Sequence, residues 1–347
     1  MNGDGPRSDV NAPYGLMARL LTSWTGRILL VNTIIFLIMS WQSGSLFNPG
    51  DGPILMNGAK DSIAIVNGEY WRFITPIFIH IGLIHFLFNS YILYFIGNQL
   101  ESLLGGKRYL IIFIGSGLLG NVASALLTPV MSAGASSSIF GLLGCGFYLE
   151  RTYRRKFAGD PAVKSGSKAY AMTILINLIF GFVVPFIDNA AHIGGLIGGF
   201  LLTVGMIHLR PSRLVSGKKA FGTSMIACFL ALTLGGIAMA TNRQYVSSLF
   251  SYTAGSKEKP AEKVFFYSRL LILDPENDDA RLIRAKILIE NGETVVGYED
   301  IETVLANGMQ RELVLNMADE LERAGLLREA ESVRALVGSA GLSIEGD

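Results

Sequence analysis

Seven apolar stretches, each near the length that crosses a lipid bilayer, recur at about 25–41, 78–100, 108–128, 136–150, 169–187, 190–209 and 220–241. A hydrocarbon layer about 30 Å thick takes roughly 20 helical residues, and inside it every backbone N–H and C=O must find a partner within the protein. Runs of this kind, bounded by Gly, Pro or basic residues, therefore predict an all-α, polytopic membrane helical bundle. Composition points the same way, since half of the 347 residues are hydrophobic, 16% are charged, and the mean hydropathy is +0.42. Trp24 and Trp41 bracket the first run as interfacial anchors would, and no A-x-A-type cleavage site follows, so it reads as a retained span and not a signal peptide. Cys145 and Cys228 both lie in apolar runs, which gives no disulfide framework.

The net charge of +1 conceals two unlike parts. Residues 1–241 carry 17 Lys and Arg against 9 Asp and Glu, whereas residues 242–347 carry 12 against 19. Fifteen of the 17 basic residues fall before the first span or in alternate connections, including Arg7, Arg19, Arg27, Lys107, Arg108, six between Arg151 and Lys168, and four between Arg210 and Lys219. The other connections hold only Lys60 and Arg72. The positive-inside rule then puts the N-terminal segment 1–24 in the cytoplasm and the tail outside, and a multi-pass place in a cell membrane, taken as a bacterial plasma membrane, is the expectation.

A core of six spans over 25–209 is thus expected, with a seventh helix at 220–241, a hinge-like linker at 242–260 containing "SYTAGSKEKP", and a helical tail at 261–337. In the tail, amphipathic segments at about 261–272, 277–290, 296–306, 310–324 and 326–337 are joined by short turns. The turns "LDPEN" (273–277) and "NGMQ" (307–310) are about 34 residues apart, the period of tetratricopeptide repeats. Such paired helices stack into concave surfaces, so the tail is expected to bind a protein partner.

Polar groups at membrane depth are functional candidates because each costs several kcal/mol unless it lines a cavity or is paired. His80 and His85 open the second span, His192 opens the sixth, and Ser136, Ser137 and Ser138 open the fourth. The predicted topology brings all of them to one depth near the outer face. His85 and Asn89 are four apart, on one helical face, and both can donate hydrogen bonds toward a common point. His80 and His85, five apart, would stand about 140° around a helix, which is awkward for joint metal ligation, and no metal or cofactor is expected. After His192 the run "IGGLIGGF" supplies two overlapping GxxxG pairs, Gly194/Gly198 and Gly195/Gly199. The fourth span, with Ser137, Gly141 and Cys145 at the same step, is their natural partner. Close approach of these two spans would bring Ser136 within hydrogen-bond reach of His192, a nucleophile beside a base.

These residues resemble the rhomboid family of intramembrane serine proteases. The resemblance rests on Trp71-Arg72, on HxxxxHxxxN (His80, His85, Asn89), on GxS (Gly134, Ala135, Ser136), and on "AHIGG" followed by a second glycine pair (Ala191, His192, Gly194, Gly195, Gly198, Gly199), all in the family's order over 71–199. It implies Ser136 as nucleophile and His192 as general base and acid, without a third carboxylate. It further implies an oxyanion hole of His85, Asn89 and the Ser136 N–H, with His80 holding water or orienting polar groups, Phe140 packed on the base, and Trp71 and Arg72 bracing the first connection. Ser137 stands where the family usually has Gly. Asp188, four residues before His192, is expected to be a solvated loop residue.

The function so implied is serine endopeptidase action on single-span membrane proteins approached through the lipid, with no nucleic acid partner. A catalytically silent rhomboid-like scaffold is the alternative, disfavoured because Ser, His and the oxyanion donors are all retained. A transporter would need internal repeats and charges deep in the spans, and neither is present.

Overall fold

A computed structural model describes residues 22–153, 166–184, 187–209, 219–308 and 311–342. The basic residues before position 22 and those within 154–165 and 210–218, on which much of the orientation count rests, lie outside them. The chain divides into two compact units, Met1–Thr241 and Asn242–Asp347.

The first unit is a polytopic membrane helical bundle in which helices occupy all seven apolar stretches. They are α1 (Trp24–Ser43), α4 and α5 (Leu83–Ile92 and Asn98–Leu104), α6 (Gly106–Leu127), α7 (Ser136–Tyr153), α8 (Gly166–Val183), α9 (Asn189–Leu209) and α10 (Lys219–Ala240). Two short helices, α2 (Asp51–Met56) and α3 (Ser62–Val66), and two 3-10 turns (Tyr70–Phe73 and Thr75–Phe78) fill the connection after α1. Helices α1, α6, α9 and α10 are each long and apolar enough to cross a membrane.

The second span is broken. It begins at Leu83, five residues later than expected, and a π turn at Leu93–Gly97 separates α4 from α5. Gly82 sets the start, with φ +82 and no room for a Cβ, which would lie 2.2 Å from the Phe47 carbonyl oxygen. His80 therefore sits ahead of the helix, and the angular separation from His85 expected for two residues on one helix does not apply to it. At the far end of the span, Glu101 accepts hydrogen bonds from the Trp24 N–H (2.7 Å), the Thr25 N–H (2.9 Å) and the Thr25 hydroxyl (2.8 Å). A carboxylate there satisfies donors that the first turn of α1 leaves unpaired.

Helix α9 runs between α6 and α7, and four of its five glycines divide their work between them. A Cβ at Gly195 or Gly199 would meet the backbone of Ser137 or Gly141 on α7, whereas one at Gly194 or Gly198 would meet Leu119, Gly120, Ala123 or Ser116 on α6. The expected partner, the fourth span, thus takes one pair and the third span takes the other. Tyr109, Ile112, Phe113, Leu142, Leu143 and Leu202 lie in the buried core these helices share. Helix α8 turns Ile176, Ile179, Phe180 and Phe182 outward, a lipid-facing surface.

Among the described residues of the second unit are the helices α11 (Arg243–Ser256), α12 (Pro260–Leu273), α13 (Asp278–Glu290), α14 (Thr294–Ala306), α15 (Arg311–Arg323) and α16 (Leu327–Leu342). The linker expected at 242–260 is mostly α11, capped by Asn242 and burying Val246, Phe250 and Ala254 at four-residue steps. Starts at Arg243, Asp278 and Arg311 alternate with starts at Pro260, Thr294 and Leu327, so like helices recur every 33 to 35 residues. A bidentate pair, Arg284 with buried Asp300 (2.8 and 2.6 Å), joins α13 to α14.

Candidate active site

The backbone builds one side of the site before any side chain does. The Gly134 N–H donates to the Pro76 carbonyl at 2.9 Å, and Gly134 holds φ +142, a conformation that side chains rarely adopt. A Cβ there would also press on the His85 ring, 2.7 Å from Cε1 and 2.9 Å from Nε2. Two residues later Ser136 is the first residue of α7. Its N–H belongs to the first turn, which has no intrahelical acceptor and sits at the positive end of the helix dipole.

The other side is the first turn of α9. His192 is 7% exposed, and its Nε2 lies 2.9 Å from Ser136 Oγ. Its ring stacks on Phe140, one turn after Ser136, with centroids 4.2 Å apart and planes 12° from parallel. Nδ1 has no hydrogen-bond partner among the described residues, so no carboxylate bonds the ring directly, and stacking on Phe140 and the close α7–α9 crossing hold it. With Nε2 accepting the serine proton, Nδ1 carries the hydrogen.

His85 presents its other edge to the same place. Its Nδ1 accepts the Ile81 N–H at 3.3 Å, which assigns the ring hydrogen to Nε2, the atom beside Gly134. Asn89, one turn on, spends one amide hydrogen on the His85 carbonyl at 2.9 Å. His80 is fully buried, edge-on to His85 (5.3 Å between centroids) and to Phe86 (5.6 Å).

Trp71 and Arg72 differ in what they do. Arg72 donates to the Leu55 (2.9 Å) and Ala59 (2.8 Å) carbonyls and pairs with Glu69 (2.7 Å), tying the connection after α1 together. Trp71 is 55% exposed and contributes through its backbone, its carbonyl accepting the Ile74 N–H (2.8 Å) and the Thr75 hydroxyl (3.1 Å). Ser137 and Ser138 are buried against Gly120 and Gly117 of α6, with hydroxyls that bond nothing in the described chain.

Asp188 is not the solvated loop residue expected. One carboxylate oxygen accepts the Ala191 N–H at 3.0 Å, capping α9, and the other accepts the Ser124 hydroxyl of α6. Burial alone would raise this carboxyl, but the Lys60 charge, Ser124, the Ala191 amide and Ser132 hold it below its usual value. Lys60, one of the two basic residues of the sparse connection after α1, is fully buried and its charge acts on Asp188.

Residues 67–209 match the Rhomboid domain family. Over 212 residues the chain is 36% identical to the rhomboid protease GluP of Bacillus subtilis (strain 168), a match spanning 61% of this chain and 39% of that relative's length. It is 35% identical over 154 residues to the putative rhomboid protease YdcA of the same organism, covering 44% of this chain and 75% of the relative. Rhomboid-like protease 3 of Toxoplasma gondii is 28% identical over 186 residues, 52% of this chain and 69% of that one.

Proposed function

The chain belongs to the rhomboid family, and on that premise we propose that it is an intramembrane serine endopeptidase working through a Ser136–His192 dyad. The observation that carries the reading is the 2.9 Å contact between Ser136 Oγ and His192 Nε2, with Phe140 stacked on the imidazole. Ser136 attacks the scissile carbonyl as His192 takes its proton. The tetrahedral oxyanion then faces the first-turn N–H of α7 and the His85 Nε2–H, with the second amide hydrogen of Asn89 as a further donor. Each such donor is worth roughly 2.7–4 kcal/mol in the transition state. The protonated His192 next passes its proton to the leaving amine, and a water deprotonated by the same imidazole releases the acyl-enzyme.

Substrates on this reading are single-span membrane proteins entering from the lipid. The N-terminus is cytoplasmic, and the repeats of the second unit, tetratricopeptide-like in their 33- to 35-residue recurrence, stand outside and bind a protein partner. Labelling of the detergent-purified protein by a fluorophosphonate tests the dyad: Ser136→Ala and His192→Ala should both abolish it, and equal labelling of all three proteins would overturn the reading.

A further inference from the structure

Five polar residues from four separate segments meet at the end of the bundle where Ser136 and His192 lie. Lys60 comes from the connection after α1, Ser124 and Thr128 from the end of α6, Ser132 from the run into α7, and Asp188 from the turn before α9. The Lys60 ammonium donates to the Thr128 carbonyl at 2.7 Å. Its backbone forms an antiparallel bridge with Ser132, through N–H to carbonyl contacts of 2.8 and 3.2 Å. The Ser124 hydroxyl bonds Asp188 and lies 3.3 Å from the Thr128 hydroxyl, while the Ser132 side chain bonds the same carboxylate. Asp188 in turn holds the first turn of α9 twice, by its side chain on the Ala191 N–H and by its carbonyl on the His192 N–H (3.2 Å).

The spacing along the chain makes this cluster more than a packing contact. Ser132 is four residues before Ser136, and Asp188 is four residues before His192. A lysine with no exposed surface is an expensive way to fill space, since methionine or leucine would fill it without a charge to desolvate. We propose that Lys60 and Asp188 are positioning residues that clamp the lead-in of Ser136 to the first turn of the His192 helix, and so set the 2.9 Å contact between nucleophile and base. The clamp rests on the dyad reading. Neither residue touches the reacting atoms; Asp188 acts through the helix start it caps, and Lys60 acts through Asp188 and Ser132.

The charge on Lys60 gives the clamp a signature that mere bracing lacks. Burial pushes the ammonium down to about 8, against the pull of the two carboxylates facing it, Asp188 and Asp61. Asp188 faces Lys60, and His192 faces Asp188 and His85. As pH rises through about 8, Lys60 loses its charge and its attraction for Asp188.

The test is the second-order rate of fluorophosphonate labelling of the full chain in detergent, from mildly acidic to alkaline pH, for wild type, Lys60→Met, Asp188→Asn and the double variant. Each single variant should label about ten- to a hundredfold more slowly, the loss a displacement of 1 Å or less produces. The double variant should fall no further than the slower single one, because the two act as one unit. The wild-type rate should decline above about pH 8, and Lys60→Met should lack that decline. Wild-type rates in the single variants, penalties that multiply in the double, or a wild-type profile flat through the alkaline range would each overturn the clamp, the last without any variant having to fold. A loss in Asp188→Asn as complete as in Ser136→Ala would overturn it by making Asp188 catalytic. Persistent labelling of Ser136→Ala is the separate result that defeats the dyad and removes the clamp with it.

Discussion

Adding one methyl group at Gly195 should cost this protein chemistry as well as stability. A Cβ there would lie 2.0 Å from the Ser137 carbonyl oxygen, 2.8 Å from its carbon and 3.1 Å from its Cα, all backbone atoms that no rotamer change can move. Ordinary contact begins at 3.4 Å. In Gly195→Ala, α7 and α9 must therefore part by about 1 Å or more, an overpacking strain worth about 1–3 kcal/mol. Gly195 is three residues from His192, and Ser137 directly follows Ser136, so the separation falls almost wholly on the dyad. Widening a 2.9 Å contact by about 1 Å takes it past hydrogen-bonding range. Displacement on that scale costs roughly a hundredfold in rate. The assay is the rate of fluorophosphonate labelling alongside thermal unfolding of the detergent-purified protein. Gly235→Ala on α10, whose new methyl would meet nothing within 4 Å, is the control and should match wild type. A Gly195→Ala protein that labels at the wild-type rate would refute the coupling of helix spacing to the dyad.

Three further outcomes are expected. Ser137→Gly removes a buried hydroxyl that bonds nothing in the described chain, at a helix-propensity cost of about 0.5 kcal/mol; labelling should persist, and its loss would show that Ser137 holds the oxyanion site open. Lys60 binds its proton less tightly in the folded chain (about 8) than at its ordinary value of 10.5, so the unfolded chain holds more protons between those values and stability should rise with pH across that window. The rise is about 3 kcal/mol if the unfolded chain keeps the ordinary value, opposite in sign to the fall in labelling rate, and unfolding of Lys60→Met against wild type across the window would measure it; equal pH slopes would count against it. Removing residues 242–347 should leave fluorophosphonate labelling intact while changing relative cleavage among several membrane substrates, and unchanged selectivity would argue against recruitment by the repeats.

Periodic and compositional signals were read well because they are local. The seven apolar runs are now helices, and the four-residue steps of Gly195/Gly199 and Ser137/Gly141 meet as a close crossing of α7 and α9. Long-range polar pairing left no such trace. Asp188 looked like a loop residue because the charge that holds it, Lys60, is 128 positions away and had been counted only for orientation. The linker at 242–260 is expected from the hinge-like "SYTAGSKEKP" at 251–260, although Val246, Phe250 and Ala254 stand at helical spacing across it. His80 was placed on the second span because the apolar run is continuous there; the break is made by Gly82, whose need for positive φ appears only when Phe47 lies against it.

The glycine faces of α9 also bear on how this sequence can drift. Gly194, Gly195 and Gly199 leave no room for a Cβ, because backbone from α6 or α7 already occupies the space, and at Gly198 a Cβ would be tight, 3.2 Å from Leu119 and Ser116. Helix α8, with Ile176, Ile179, Phe180 and Phe182 turned outward, accepts any apolar residue at those sites. A saturation library selected for activity should thus be nearly silent at 194, 195 and 199, restricted to the smallest side chains at 198, and permissive along α8, drawing from mutational tolerance alone the line between the wall that aligns the dyad and the surface that meets lipid.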